Sequence, residues 1–484
     1  MAEKLQSRLK ASLQSVARST AETFDKGYDR LLDRRVCLGV TGFSGSGKST
    51  FITSLIHQLR HFPEATLPAF SPALQGRLLG VEVHSMNGAG QKDFPFTKAQ
   101  KALSGGVQQW PESTRNLSSC LLELRLKPRK THFGFSARKV ERLFVEIRDY
   151  PGEWLLDLPL LGMNFQQWCL DCQSLYRESP RRELLGDLFI ELAELDPFAI
   201  ADMDLIESLH QRFITFLQQC SHPDTGLSLV QPGRFLLSGD SKPPVFLPLL
   251  TPKLKQLNPE DWKNADDNSY IKVLEKAYNQ YLNEQVEPFY KEHFSGIDRQ
   301  VVLVDVLKAL NVGKYSMEDM QLALTRVLDS FQFGQNSLLS RLFSPRIEKV
   351  LFVASKIDQV LPEQHENVRA LTAAIVQSAY RKATFEQVDV QCEATASVRA
   401  TTIYQKNDRA MLQGLFINDD ESVPGLMAHP DIPSTLPDDQ GWQRFQSWRL
   451  RKLLPPANLQ LTDGGALPHI RLDVVIRELI GDKC

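Results

Sequence analysis

Apolar residues follow two rhythms along this chain, and the way the rhythms alternate predicts its architecture. Short apolar runs at 36–40, 120–126, 143–147, 301–304, 350–354 and 388–393 have the length of strands, several of them continuous enough to be buried on both faces. Apolar positions at helical spacing fill 50–60, 165–175, 182–195 and 203–220. This order predicts an α/β fold with a mixed, mostly parallel sheet. Residues 231–252, rich in Pro and Gly, read as an irregular segment or short hairpin, and 270–293 as a second helical hairpin. Residues 306–343 read as a crossover whose Leu322, Leu324, Val327, Leu328 and Phe331 mark a packed helix. The polar, proline-bearing stretch 418–440 predicts a long surface loop, and 471–480 a closing amphipathic helix.

Four parts are expected: an N-terminal amphipathic helix over 1–35, a first sheet segment over 36–154, an inserted, mainly helical domain over 155–297, and a second sheet segment over 298–484. In the first part Leu5, Leu9, Leu13, Val16, Phe24 and Leu31 form the apolar stripe. Packing against the body is favoured over peripheral membrane contact, because Glu3, Glu22 and Asp25 dilute the basic Lys4, Arg8, Lys10 and Arg18.

The strand at 36–40 runs into Gly42-Phe43-Ser44-Gly45-Ser46-Gly47-Lys48-Ser49, a full GxxxxGK[S/T] loop with a helix behind it. Backbone N–H groups in such a loop turn inward around an anion, and glycines clear space for phosphates. Ser44, Gly45, Ser46, Gly47 and Thr50 are expected to contact the nucleotide, Lys48 to reach the β- and γ-phosphates, and Ser49 to ligate Mg²⁺. The chain is therefore expected to bind a nucleoside triphosphate.

Three further segments fall in the right order. The strand at 143–147 ends in Asp149-Tyr150-Pro151-Gly152, a DxxG pattern in which Asp149 would hold the Mg²⁺ shell and Gly152 would sense the γ-phosphate. The strand at 350–354 ends in Ser355-Lys356-Ile357-Asp358, where the carboxylate of Asp358 matches the two donors of guanine and not the adenine edge. The last strand leads to Ser397 and Val398 in a small-residue loop suited to the guanine O6. Thr114 and Thr97 are the candidates for closing over Mg²⁺. Thr114 is preferred because it precedes the strand 120–126, whereas Thr97 lies in a helical pattern where capping is its simpler role. Beside Thr114, Trp110, Ser113 and Arg115 are candidate nucleotide contacts, Arg115 as a cation supplied in cis.

These motifs, with Trp110-Pro111-Glu112-Ser113-Thr114 and the closing Leu479-Ile480-Gly481-Asp482-Lys483, resemble the YcjX-like family of bacterial P-loop GTPases, of the Ras-like class, over nearly the whole chain. The resemblance implies a stress-associated switch that binds GTP or GDP with Mg²⁺ and is often encoded beside a membrane protein. The chain departs from the usual [N/T]KxD at Ser355, and it carries Glu153 where a water-orienting glutamine is common. Glu153 is thus a catalytic candidate, and slow intrinsic turnover is expected. An ATP-dependent enzyme or kinase, and a non-catalytic assembly protein that needs nucleotide to fold, are the alternatives.

A net charge of −2 over 484 residues gives no global case for nucleic acid. Lys127, Arg129, Lys130, Arg138, Lys139 and Arg142 cluster near the expected hairpin turn, more simply as a solvated surface than as a site for an acidic partner or anionic lipid. Seven dispersed cysteines point to a reduced, cytoplasmic protein, with peripheral contact at the inner membrane as the variant reading. Cys169 and Cys172 share a helical face as core residues rather than half of a zinc site. No run reaches the roughly 18 apolar residues of a membrane span.

Overall fold

Seven strands meet in one twisted sheet of the computed structural model, which describes residues 34–484 apart from 63–66, 87–90, 106–108, 115, 129–139, 238–242, 331–346, 386–387, 407–408, 419–420, 458, 460 and 462–464. The strands are β1 (Arg34–Gly42), β2 (Leu78–His84), β3 (Ser118–Leu126), β4 (Glu141–Asp149), β5 (Arg299–Val304), β6 (Lys349–Ala354) and β7 (Asp389–Ala394). Their order is β2-β3-β4-β1-β5-β6-β7. The ladders from β4 through β7 are parallel, and β2–β3 and β3–β4 are antiparallel. The fold is thus the mixed, mostly parallel α/β sheet of a Ras-like P-loop domain. Residues 1–33 of the expected amphipathic helix at 1–35 and the basic residues Arg129, Lys130, Arg138 and Lys139 lie outside the described residues, and Arg34 and Arg35 open β1.

Every residue of β5 is buried, which accounts for its unbroken apolar run. Val301 and Leu303 face a core shared with Phe51, Ile52 and Leu55 of the helix Lys48–Arg60 and with Leu472, Val475 and Ile476 of the closing helix Leu472–Ile480. Val302 and Val304 point the other way, into a core continuous with the helices that connect β4 to β5. Those helices include Phe165–Leu175, held at its start by a capping box between Asn164 and Gln167, and Met203–Ser221, capped by Asp202. Trp168 stacks on Tyr278 with ring centroids 5.3 Å apart, and Phe246 packs edge-on to both. Each such buried side chain contributes about 2–3 kcal/mol, so these helices are bound firmly to the sheet. Cys169 and Cys172 are buried in the same core.

Two expectations are corrected. The stretch 270–293 is no hairpin but one continuous helical run: Tyr270–Tyr281, a wide turn at Leu282–Val286, then Glu287–Phe289 and a second wide turn at Tyr290–Phe294. Tyr281 and Val286, and again Phe289 and Phe294, are buried five residues apart. That spacing breaks an α-helical pattern in sequence, yet i→i+5 turns keep the four side chains on one face. The loop expected at 418–440 instead contains a strand, Glu421–Met427 (β10), in a three-stranded antiparallel sheet with Thr401–Lys406 (β8) and Arg409–Asn418 (β9). β10 lies at the sheet edge, is mostly exposed and carries Pro424, so it has little hydrophobic signature. The described residues of the segment 231–252 are irregular apart from a 3₁₀ turn at Gly233–Leu236 and the start of another at Pro252–Lys255.

Candidate functional site

The parallel strands β1, β4, β5, β6 and β7 all end at one edge, where α/β sheets place their ligand sites. A cleft of about 1080 Å³ opens there, and its walls include the loop 42–50, Trp110, Ser113, Thr114, Gly152 and Glu153. Lys356, Asp358, Ser397 and Val398 line the same cleft. Its size suits a nucleoside triphosphate.

Gly45 and Gly47 adopt φ of +78° and +84°, conformations open to glycine and costly for other residues. Gly47 is also the N-cap of the helix Lys48–Arg60 and offers no side chain to its first turn. The free N–H groups of that turn thus face the cleft as an anion site. Lys48 donates to the carbonyl of Tyr150 and lies 3.2 Å from a carboxylate oxygen of Asp149, so an anion in the loop competes with both.

Thr114 stands where the strand pattern places it. Its hydroxyl donates to Asp149 Oδ2 at 2.7 Å and lies 3.3 Å from the Ser49 hydroxyl, which donates to the Glu112 carbonyl at 2.8 Å. Three hard oxygen donors from three distant segments thus converge beside the phosphate loop. Cis ligands of octahedral Mg²⁺ stand about 3.0 Å apart, so the donor set and the Ser49–Thr114 spacing fit that ion. Thr97 instead lies inside the helix Phe96–Ser104, which has Pro95 at its N-cap and no side-chain cap. Gly152 approaches the loop so closely that a Cβ there would fall 2.2 Å from the Gly42 carbonyl oxygen. Glu153 follows at the cleft wall, and Arg115 is outside the described residues.

At the far end of the cleft, Asp358 is buried, and its Oδ2 accepts the Ala400 N–H at 2.8 Å. Burial pushes its carboxyl up to about 6, against the pull of the Ala400 N–H and of Lys356. Lys356 holds the left-handed conformation at φ +61°, rare for a residue with a side chain, and its ammonium reaches Asp305 Oδ2 at 2.6 Å. That ion pair braces the base loop, where the Ser355 N–H donates to the Val304 carbonyl at 2.9 Å and its hydroxyl lies 3.4 Å from the same oxygen. Ser397 and Val398 follow β7, and the Ser397 carbonyl accepts from Ser54 of the phosphate-loop helix at 2.5 Å.

Several partners escape sequence reasoning. Asp305 had a signal, a carboxylate directly after the apolar β5, but its link to Lys356 is a matter of tertiary packing. Residues 442–453 wall the cleft from outside the sheet, with Trp110 Nε1 donating to the Leu453 carbonyl at 2.6 Å and Asn311 to the Trp448 carbonyl at 2.7 Å. Nothing in their composition announces that position.

Residues 36–484 match the model of the YcjX-like family, DUF463. The chain is 36% identical over 475 residues to a Shewanella oneidensis protein named Ras-like GTPase YcjX, an alignment covering 94% of this chain and 96% of that relative. A protein of the same name from Escherichia coli strain K12 is 36% identical over 465 residues, covering 94% and 97%.

Proposed function

The chain belongs to the YcjX-like family, and from that membership we propose that it is a GTP-binding and GTP-hydrolysing switch. The observation that carries the reading is the convergence of Lys48, Ser49, Thr114 and Asp149 at one end of a cleft whose other end is closed by Asp358. Ser49 and Thr114 would ligate Mg²⁺ and Asp149 would hold its water shell. The ion would neutralise phosphate charge.

In this reading the chain's own residues do the rest. N–H groups of the loop cradle the phosphates, Lys48 leaves the Tyr150 carbonyl for the β- and γ-oxygens, and Gly152 donates its N–H to the γ-phosphate. Glu153, next in the chain, would orient the attacking water, and Arg115 is a second candidate for the transferred group's charge. A carboxylate at that position is repelled by the γ-phosphate, which supports slow intrinsic turnover. Asp358 accepts from guanine, with Ser397 and Val398 offering backbone N–H groups to O6, and Trp110 and Ser113 flank the nucleotide.

Loss of the γ-phosphate would release Thr114 and Gly152, and the helices between β4 and β5 would read the change. As the family resemblance implies, such a switch would serve a cytoplasmic stress response alongside a membrane-protein partner. Calorimetric titration with GDP, ADP and XDP tests the base assignment. GDP is expected to bind at least about 100-fold more tightly than ADP, and Asp358→Asn to lose guanine and gain xanthine. Equal ADP and GDP binding would favour the ATP-dependent reading instead.

A further inference from the structure

Two cavities meet behind the phosphate loop. The nucleotide cleft and a smaller cavity of about 50 Å³ share Phe43, Ser44, Ser46, Glu153, Asp305 and Lys308 in their walls. Lys308 is the only cation among the described residues that lines both. It sits in the first turn of the helix Val306–Val312, directly behind the end of β5.

The nearest acid on its own element is already engaged. Asp305 takes the Lys308 backbone N–H on Oδ1 at 3.1 Å and the Lys356 ammonium on Oδ2 at 2.6 Å. Among the described residues, no carboxylate lies within 4.0 Å of the Lys308 ammonium. The side chain is half-buried, and burial lowers its pKa in spite of the attraction of Asp305 and Asp224. A cation withdrawn from water with no ion-pair partner gains from a ligand that brings negative charge to it.

The position identifies that charge. In the proposed site Gly152, which lies against the Gly42 carbonyl, donates to the terminal phosphate, and that phosphate would sit at the wall formed by the phosphate loop and residues 152–153. Lys308 shares the walls of both cavities with Ser44, Ser46 and Glu153, the residues on either side of this gap. We infer that Lys308 is a further catalytic cation, whose ammonium contacts the terminal phosphate and stabilises the charge that develops on it during hydrolysis.

The step is balanced without it changing protonation. Water attacks the γ-phosphorus, the bond from the β–γ bridging oxygen to that phosphorus breaks with its electron pair going to GDP, and both water protons leave with inorganic phosphate as H₂PO₄⁻, which then releases a proton to solvent according to pH. Lys308 remains an ammonium throughout. The inference rests on the proposed triphosphate-hydrolysing site.

Lys308→Ala and Lys308→Arg test it against the wild-type full-length chain, by single-turnover GTP cleavage and by affinity for GDP and for a non-hydrolysable GTP analogue. Lys308→Ala is expected to slow cleavage by about 100-fold or more. It should keep GDP affinity within about threefold and lose about tenfold of the preference for the triphosphate analogue over GDP. Lys308→Arg should recover part of both losses. Cleavage and triphosphate preference both unchanged in Lys308→Ala would overturn the inference, as would equal weakening of GDP and the analogue, which marks a merely structural lysine. A wild-type chain that binds but never cleaves GTP would sink the hydrolytic reading, while the triphosphate preference would still report whether Lys308 meets the terminal phosphate.

Discussion

Asp149 joins three segments that are far apart in sequence: its carboxylate takes the Thr114 hydroxyl and pairs with Lys48 at the head of the phosphate-loop helix. Its place was legible because a DxxG directly after an apolar strand is a local pattern. The strand that follows Thr114 made its place beside Asp149 and Ser49 legible. Lys308 and Asp305 were not, because an isolated lysine or aspartate acquires meaning only through what the sheet brings beside it. At the base end, Asp358 links chemistry to pH. Its folded carboxyl is raised to about 6 by burial, above the ordinary 3.8, so the free fold is helped by its protonation below about 4 and loses that help as pH rises through 6. Guanine needs the ionised form. GDP affinity measured by calorimetry is therefore expected to be level above pH 7 and to fall by about tenfold per pH unit as pH drops below about 6. In Asp358→Asn the weak residual GDP affinity should no longer change over this range, and a wild-type profile flat from pH 5 to 8 would refute the role.

The helix Gly152–Asp157 connects the cleft wall to the helices between β4 and β5. Asp157 at its end is buried and accepts the Gly233 N–H at 2.7 Å and the Tyr281 hydroxyl at 2.5 Å, and burial raises its carboxyl to about 6. The Arg234 guanidinium lies 3.9 Å from the Trp154 ring centroid. A Cβ on Gly233 would fall 2.3 Å from the Glu153 carbonyl oxygen, backbone against backbone. Gly233→Ala is thus expected to push residue 153 away from the cleft, lowering stability by about 1–3 kcal/mol in denaturant melts. It should slow GTP cleavage more than it weakens GDP binding, and unchanged cleavage would show that this contact does not matter to the site. Sequence periodicity located the helices on either side of this junction well. It failed at 270–293, where five-residue spacings mimic a helix break, and at β10, where an exposed edge strand with a proline looks like a loop.

At the scale of the molecule, the sheet edge supplies the phosphate end of the cleft and the chain beyond β7 supplies much of its outer wall. Six of the seven strands of the main sheet, and the loops that follow β1 and β6, were legible as apolar runs with motifs at their ends, whereas β2 (Leu78–His84) and the strand order were not read from the sequence. The wall at 442–453 did not, because polar, irregular chain carries no period from which a position can be read. The helices between β4 and β5 and the β8–β9–β10 sheet thereby flank one cleft, and the proposed function depends on what that cleft does to a nucleotide. Single-turnover phosphate release from GTP and from ATP with Mg²⁺ tests this most directly. Slow release from GTP alone, lost in Lys48→Ala, is the predicted result. Equal release from ATP, or none from GTP with nucleotide demonstrably bound, would contradict it.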